Sequence, residues 1–150
     1  MEKRFEKFTV LTTKIGRNIK KIKNYEMREY QLRSPHISCL YYLYVDAPLT
    51  ATELSERCEE DKATISRSLS YLEKNGYFTS ETKSSKRYKD PLFLTPKGIE
   101  MAKRIASKID AVLSEISHKL SESERTEFYR SLTIISDGLE TIGKRLGKSE

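Results

Sequence analysis

Lys62, Ala63, Thr64, Ser66, Arg67 and Ser70 share one face of a predicted helix, and Ile65, Leu69 and Leu72 share the other. Asp61 is a favoured N-cap and Gly76, just after Asn75, a favoured stop, so both helix boundaries are legible. The three apolar residues recur at helical spacing and predict a face turned into a core. The polar face carries small side chains around one long cation. Ser, Thr and Ala allow close approach to the edges of bases. Arginine can donate two hydrogen bonds to a guanine, and a methyl from Ala63 or Thr64 can meet the methyl of a thymine. An ordinary solvated helix face would show the same residue types, so this chemistry depends on what positions the helix.

A shorter helix precedes it, starting near Thr50 or Thr52, burying Leu54 and turning Cys58 inward. The acidic turn Glu59-Glu60-Asp61 joins the two. Two helices so joined predict a helix-turn-helix, in which the first helix crosses a DNA backbone and the start of the second reads the major groove. Thr52 joins the residues expected to face DNA. Downstream, Tyr77-Phe78 and Leu92-Phe93-Leu94-Thr95 predict two strands around the polar, basic run Lys83-Ser84-Ser85-Lys86-Arg87-Tyr88-Lys89. This is a β-hairpin with a cationic tip, a wing beside the recognition helix. Lys83, Ser84, Ser85, Lys86 and Arg87 are expected at phosphates, with Arg87 suited to a narrow minor groove of enhanced negative potential. Pro91 cannot donate a ladder hydrogen bond, so its strand is expected at an edge or bulged.

Long amphipathic helices flank this unit. Phe8, Leu11, Ile15, Ile19 and Ile22 step by three and four, as do Ala102, Ile105, Ile109, Val112 and Ile116 after Pro96. Ser121 and Glu124 form a capping-box pattern before a last stripe of Phe128, Leu132, Ile135, Leu139 and Ile142. Narrow stripes of this kind are seams for another helix, and a two-fold dimer supplies the partners that a chain of 150 residues lacks. Bundling within one chain is the alternative. The expected fold is mainly α with a small β-wing. Residues 35–98 form a winged helix-turn-helix, with residues 1–33 and 99–147 as dimerisation helices, in one domain spanning residues 1–150.

Four segments, Leu49-Thr50-x-x-Glu53-Leu54-Ser55, Asp61 to Arg67, Leu72 to Tyr77, and Leu94 to Gly98, occur in this order. Together they resemble the MarR family of dimeric winged-helix transcription regulators over roughly residues 35–100. The resemblance implies a homodimer that binds a pseudo-palindromic operator on double-stranded DNA, often as a repressor. It also implies an effector that changes the spacing of the two recognition helices. Many members carry an aspartate and an arginine, one residue apart, near the wing tip; those positions hold Lys86 and Tyr88 here. A common turn glycine is replaced by Glu59, which costs little if that turn avoids a positive φ.

A helix from Pro35 to about Val45, with Ser34 as N-cap, is aromatic and mostly apolar. In the family, effector pockets lie where this helix meets the first and fifth. Tyr25, Tyr30, His36, Leu40 and Tyr44 could therefore line a site for a small aromatic or amphiphilic ligand, and a plain core role explains the same residues. Redox-sensing relatives make Cys39 a candidate reactive thiol, against a buried structural one. Cys58 stands where the family has a core leucine and is expected to be inert.

The net charge of +6 and pI of about 9.2 favour a polyanionic partner. Residues 1–35 carry ten Lys or Arg against four Asp or Glu, and residues 62–104 repeat that ratio, whereas residues 36–61 carry one against six. The second basic block coincides with the recognition helix and wing. The first contacts flanking phosphates or is the solvated face of a long helix. His36 and His118 are the only histidines, Cys39 and Cys58 the only cysteines, and neither pair has zinc-site spacing. With no Gly-rich phosphate loop and no nucleophile elbow, the sequence points away from an enzyme, a metal or a cofactor. Without a signal peptide or a long apolar run, a cytoplasmic location with no membrane association is expected. Two other functions fit the same features: an effector-independent regulator whose pocket tyrosines close, and a winged-helix protein-interaction module whose basic wing serves solubility.

Overall fold

Six α-helices run through the described residues, 4–80 and 89–147, of the computed structural model. They are α1 (Arg4–Glu26), α2 (Ser34–Val45), α3 (Ala51–Cys58), α4 (Lys62–Lys74), α5 (Pro96–Ser117) and α6 (Glu122–Gly147). A 3₁₀ turn, Arg28–Tyr30, separates α1 from α2. Strands β1 (Phe78–Thr79) and β2 (Phe93–Leu94) lie between α4 and α5. The expected wing-tip residues Lys83, Ser84, Ser85, Lys86 and Arg87 lie outside the described residues. The chain divides into two compact units, Met1–Lys108 and Ile109–Glu150.

The first unit is built around α2. Its sequence is apolar on nearly every side, and such a helix is stable only when surrounded. Ile37, Cys39, Leu40 and Leu43 are all buried, joined by Leu54 of α3, Ile65 and Leu72 of α4, and Ile105 of α5. Each such side chain stabilises the fold by about 1.5–3 kcal/mol through removal from water, so this cluster fixes α3 and α4 against α2. The strands pair antiparallel, Phe78 opposite Leu94 and Thr79 opposite Phe93. A single bridge, Leu92 N–H to the Leu49 carbonyl at 2.9 Å, ties the hairpin root to the segment before α3. Pro91 falls just before this bridge and β2, where no ladder donor is needed.

The expected cap of α2 at Ser34 is displaced by one residue. Arg33 is the N-cap, extended at φ −112° and ψ 167°, and Ser34 is already helical and buried. The Ser34 N–H donates to Asn24 Oδ1 at 2.7 Å, while His36 Nδ1 accepts the Arg33 N–H at 3.1 Å. A partner ten residues upstream thus decides where the helix starts.

In the second unit, α6 begins with the expected capping box: Ser121 N–H donates to Glu124 Oε2 (2.7 Å), and Glu124 N–H to Ser121 Oγ (3.2 Å). Phe128, Leu132, Ile135, Leu139 and Ile142 are each at least 40% exposed. The α1 stripe of Phe8, Leu11, Ile15, Ile19 and Ile22 is at least 38% exposed as well. Seams predicted from spacing are therefore present as helix faces without cover in the single chain.

Candidate nucleic-acid interface

Helix α3 starts at a capping box in which Thr50 Oγ1 accepts the Glu53 N–H (3.2 Å) and Glu53 Oε2 accepts the Thr50 N–H (2.7 Å). It ends at Glu59, which adopts the left-handed conformation with φ 53°. The condition under which a residue other than glycine costs little in this turn is not met: Glu59 itself occupies the glycine-favouring conformation. Ser55 holds the turn in place, its Oγ donating to the Glu60 carbonyl at 2.6 Å.

Asp61 then caps α4, its Oδ1 accepting the Thr64 N–H at 2.7 Å. Its Oδ2 accepts the Thr64 hydroxyl at 3.0 Å, and Thr64 Oγ1 accepts from Arg67 Nη2 at 3.1 Å. The result is a relay from carboxylate to hydroxyl to guanidinium. The backbone hydrogen bond from Thr64, then its hydroxyl, then the charge of Arg67 hold the Asp61 carboxyl below its usual range. Lys62, Ala63, Arg67 and Ser70 are exposed, Thr64 and Ser66 half-buried, and Thr52 exposed on α3. Ile65, Ser68, Leu69 and Leu72 make the buried face. Ser68 belongs to that face because its hydroxyl is satisfied by the Thr64 carbonyl at 2.8 Å.

Two anchors behind α4 are absent from the sequence reading. The Tyr71 ring stacks on His36 of α2, with centroids 4.3 Å apart and planes 8° apart. The Tyr71 hydroxyl donates to the Gln31 carbonyl at 2.9 Å, where Gln31 has φ 57°. Partial burial, and then the nearby Arg33, lower the His36 pKa. At the far end of α4, Gly76 has φ 75°, and its carbonyl accepts the Thr95 hydroxyl at 2.6 Å. Thr95 Oγ1 in turn accepts the Gly98 N–H (3.1 Å), and Lys97 Nζ donates to the Asn75 carbonyl (2.7 Å). A Cβ on Gly98 would lie 1.9 Å from the Tyr77 carbonyl oxygen, so no other residue fits there without movement. These contacts fix the hairpin root relative to α4.

The five expected effector residues do not share one lining. Leu40 is fully buried in the core, and His36 is committed to Tyr71. The Tyr30 hydroxyl accepts from Arg104 Nη1 at 3.3 Å, and Tyr44 is exposed. Tyr25, 75% exposed, edges an open hollow of about 540 Å³ lined also by Glu26, Arg28 and Glu29. Among the described residues no group of three or more His, Cys, Asp or Glu could hold a metal, and no helix is long and apolar enough to cross a membrane.

No family model and no curated protein matches the sequence. Solved structures do. MarR of Staphylococcus aureus, in complex with salicylate and kanamycin, superposes with a TM-score of 0.82 at 21% identity, covering 93% of this chain and 95% of that one. A MarR protein from Peptoclostridium difficile gives 0.80 at 19% identity over 89% and 88%. MepR of Staphylococcus aureus, in its complex with DNA, gives 0.77 at 20% identity over 88% and 97%. The fold is that of the MarR-family regulators. In this MarR fold the four sequence segments mark its caps and turns: the Thr50 cap, the Asp61 cap, the left-handed Gly76 and the close approach at Gly98. Such positions constrain side chains through the backbone.

Proposed function

We propose that this chain is a MarR-family transcription regulator acting in the cytoplasm. It binds double-stranded DNA as a homodimer at a pseudo-palindromic operator, ordinarily as a repressor. The observation that carries this reading is the outer face of α4, which holds Arg67 in the Asp61–Thr64 relay while Tyr71 and the buried face lock the helix from behind. Its fold likeness to a MepR structure in complex with DNA supports the same reading. Thr52, Lys62, Ala63, Thr64, Ser66, Arg67 and Ser70 are the proposed groove and backbone contacts. Lys83, Ser84, Ser85, Lys86 and Arg87 are proposed as wing contacts on their sequence alone. The bare apolar stripes of α1 and α6 support the homodimer, since a second copy offers matching seams.

A small aromatic or amphiphilic effector that releases DNA is part of the proposal, supported by the salicylate held in the related MarR structure. Tyr25 and Tyr44 are its best-exposed candidate contacts here. The DNA-binding reading is tested by gel shift on the region upstream of the chain's own gene. Arg67→Ala lowers affinity about ten- to a hundredfold if that side chain reads a base; unchanged affinity refutes the assignment. Lys86→Ala with Arg87→Ala lowers the slope of log affinity against log salt by about 2 if both reach phosphates.

A further inference from the structure

Between Glu6 and Glu26, α1 carries six cations, Lys7, Lys14, Arg17, Lys20, Lys21 and Lys23, and no Asp or Glu. Its last turn ties the helix to the first unit. Lys23 Nζ donates to Ser38 Oγ at 3.0 Å, Asn24 Oδ1 accepts the Ser34 N–H, and Glu26 pairs with Lys108 at 2.9 Å. The five cations before that turn are all exposed. Lys7, Lys14, Arg17 and Lys21 fall on one face, about a third of a turn round from the apolar stripe that runs from Phe8 to Ile22. A second copy seated on that stripe therefore leaves these cations in water. Given that the chain binds DNA, we infer that this face of α1 is a second, sequence-independent contact for duplex phosphates, separate from the outer face of α4.

Cations on the later helices have neighbours that compensate them. Arg104 pairs with Glu100 on α5 at 3.0 Å, and Arg130 with Glu127 on α6 at 2.7 Å. Among the described residues, no hydrogen bond or ion pair reaches Lys7, Lys14, Arg17 or Lys21. Lys14 and Arg17 stand three residues apart, and Arg17 and Lys21 four, the spacings at which like charges destabilise a helix. A polyanion removes that repulsion and gains the release of its own counterions. From Lys14 to Lys21 the helix rises about 10 Å, about three phosphate steps of one strand, so the three charges meet neighbouring phosphates together. An anionic membrane also attracts a basic amphipathic helix, but it takes up the apolar stripe along with the cations. Here that stripe is the proposed seam for the second copy, so the fitting partner is a phosphate array without an apolar phase.

The test is the salt dependence of binding by the full chain to a random-sequence duplex of about four helical turns, which takes base readout out of the measurement. Lys14→Gln, Arg17→Gln and Lys21→Gln together should lower the slope of log affinity against log salt by about 3 for each α1 face engaged. Lys14→Arg with Lys21→Arg keeps the charges and should keep the wild-type slope. Arg130→Gln, Lys144→Gln and Arg145→Gln remove the same net charge from α6 and should change the slope by less than about 1. The effect of the α1 triple variant should persist in an Arg67→Ala background, where the proposed base contact is gone. An α1 triple variant with the wild-type slope overturns the inference and leaves the α4 reading standing. An equal loss from the α6 variant also overturns it, by making net charge the cause. So does binding of phosphatidylserine vesicles that the α1 variant loses while its DNA slope is unchanged. A wild-type chain that binds neither this duplex nor its own upstream region sinks both readings.

Discussion

Arg67 ends a line of hydrogen bonds that begins at the Asp61 carboxylate, so its fork is already oriented in the free chain. A long cation held in this way loses less rotamer freedom on binding. Two other residues mark where backbone conformation limits the sequence. Glu59 sits at φ 53°, a conformation that costs a residue with a Cβ about 1–2 kcal/mol. Glu59→Gly relieves that strain, partly offset by the greater entropy of an unfolded glycine. It should therefore raise unfolding free energy by about 0.5–1 kcal/mol in urea denaturation. Gly98 lies against the Tyr77 carbonyl. Gly98→Ala must push either the start of α5 or the hairpin root aside, and should cost about 2–3 kcal/mol in the same measurement.

At the scale of elements, α2 is the backstop of α4, the proposed recognition helix, and His36 is the joint. Its ring lies flat on Tyr71, and partial burial, then the charge of Arg33, favour the neutral imidazole, whose Nδ1 accepts the Arg33 N–H. The folded-state pKa lies below 6.5, so the unfolded chain binds more protons near that pH. Stability from this joint is therefore fully present above pH 6.5 and is lost as pH falls from there through the folded-state value. Urea midpoints of the wild type should drop over this window, whereas His36→Phe, which keeps a ring and does not titrate, should flatten the drop. The elements themselves were legible because their signals are local. Asp61, Thr50 with Glu53, and Ser121 with Glu124 each cap within three residues. Long-range contacts were not. Asn24 moves the α2 cap, and Tyr71 reaches a carbonyl forty residues upstream. No spacing rule in one sequence encodes such pairs. Spacing along one helix likewise carries no signal for depth, so buried Leu40 and exposed Tyr25 are not told apart in sequence.

For the whole molecule, most cations of the first basic block share α1 with its apolar stripe, while the second block includes cations of α4 and of the start of α5. The net charge of +6 and the uncovered helix faces are the two features that the proposed DNA-bound dimer accounts for together. Ile135→Glu with Leu139→Glu would place carboxylates on the proposed α6 seam. Sedimentation at micromolar concentration should then show monomers where the wild type shows dimers. The central claim is a symmetric DNA reader with one Arg67 per half-site. It is tested most directly by the stoichiometry of the complex with an upstream duplex carrying an inverted repeat, with half-sites about 34 Å apart. Sedimentation should find two chains on each duplex, with affinity falling steeply as salt rises and falling again in Arg67→Ala. One chain per duplex, or affinity indifferent to both salt and Arg67, would contradict it.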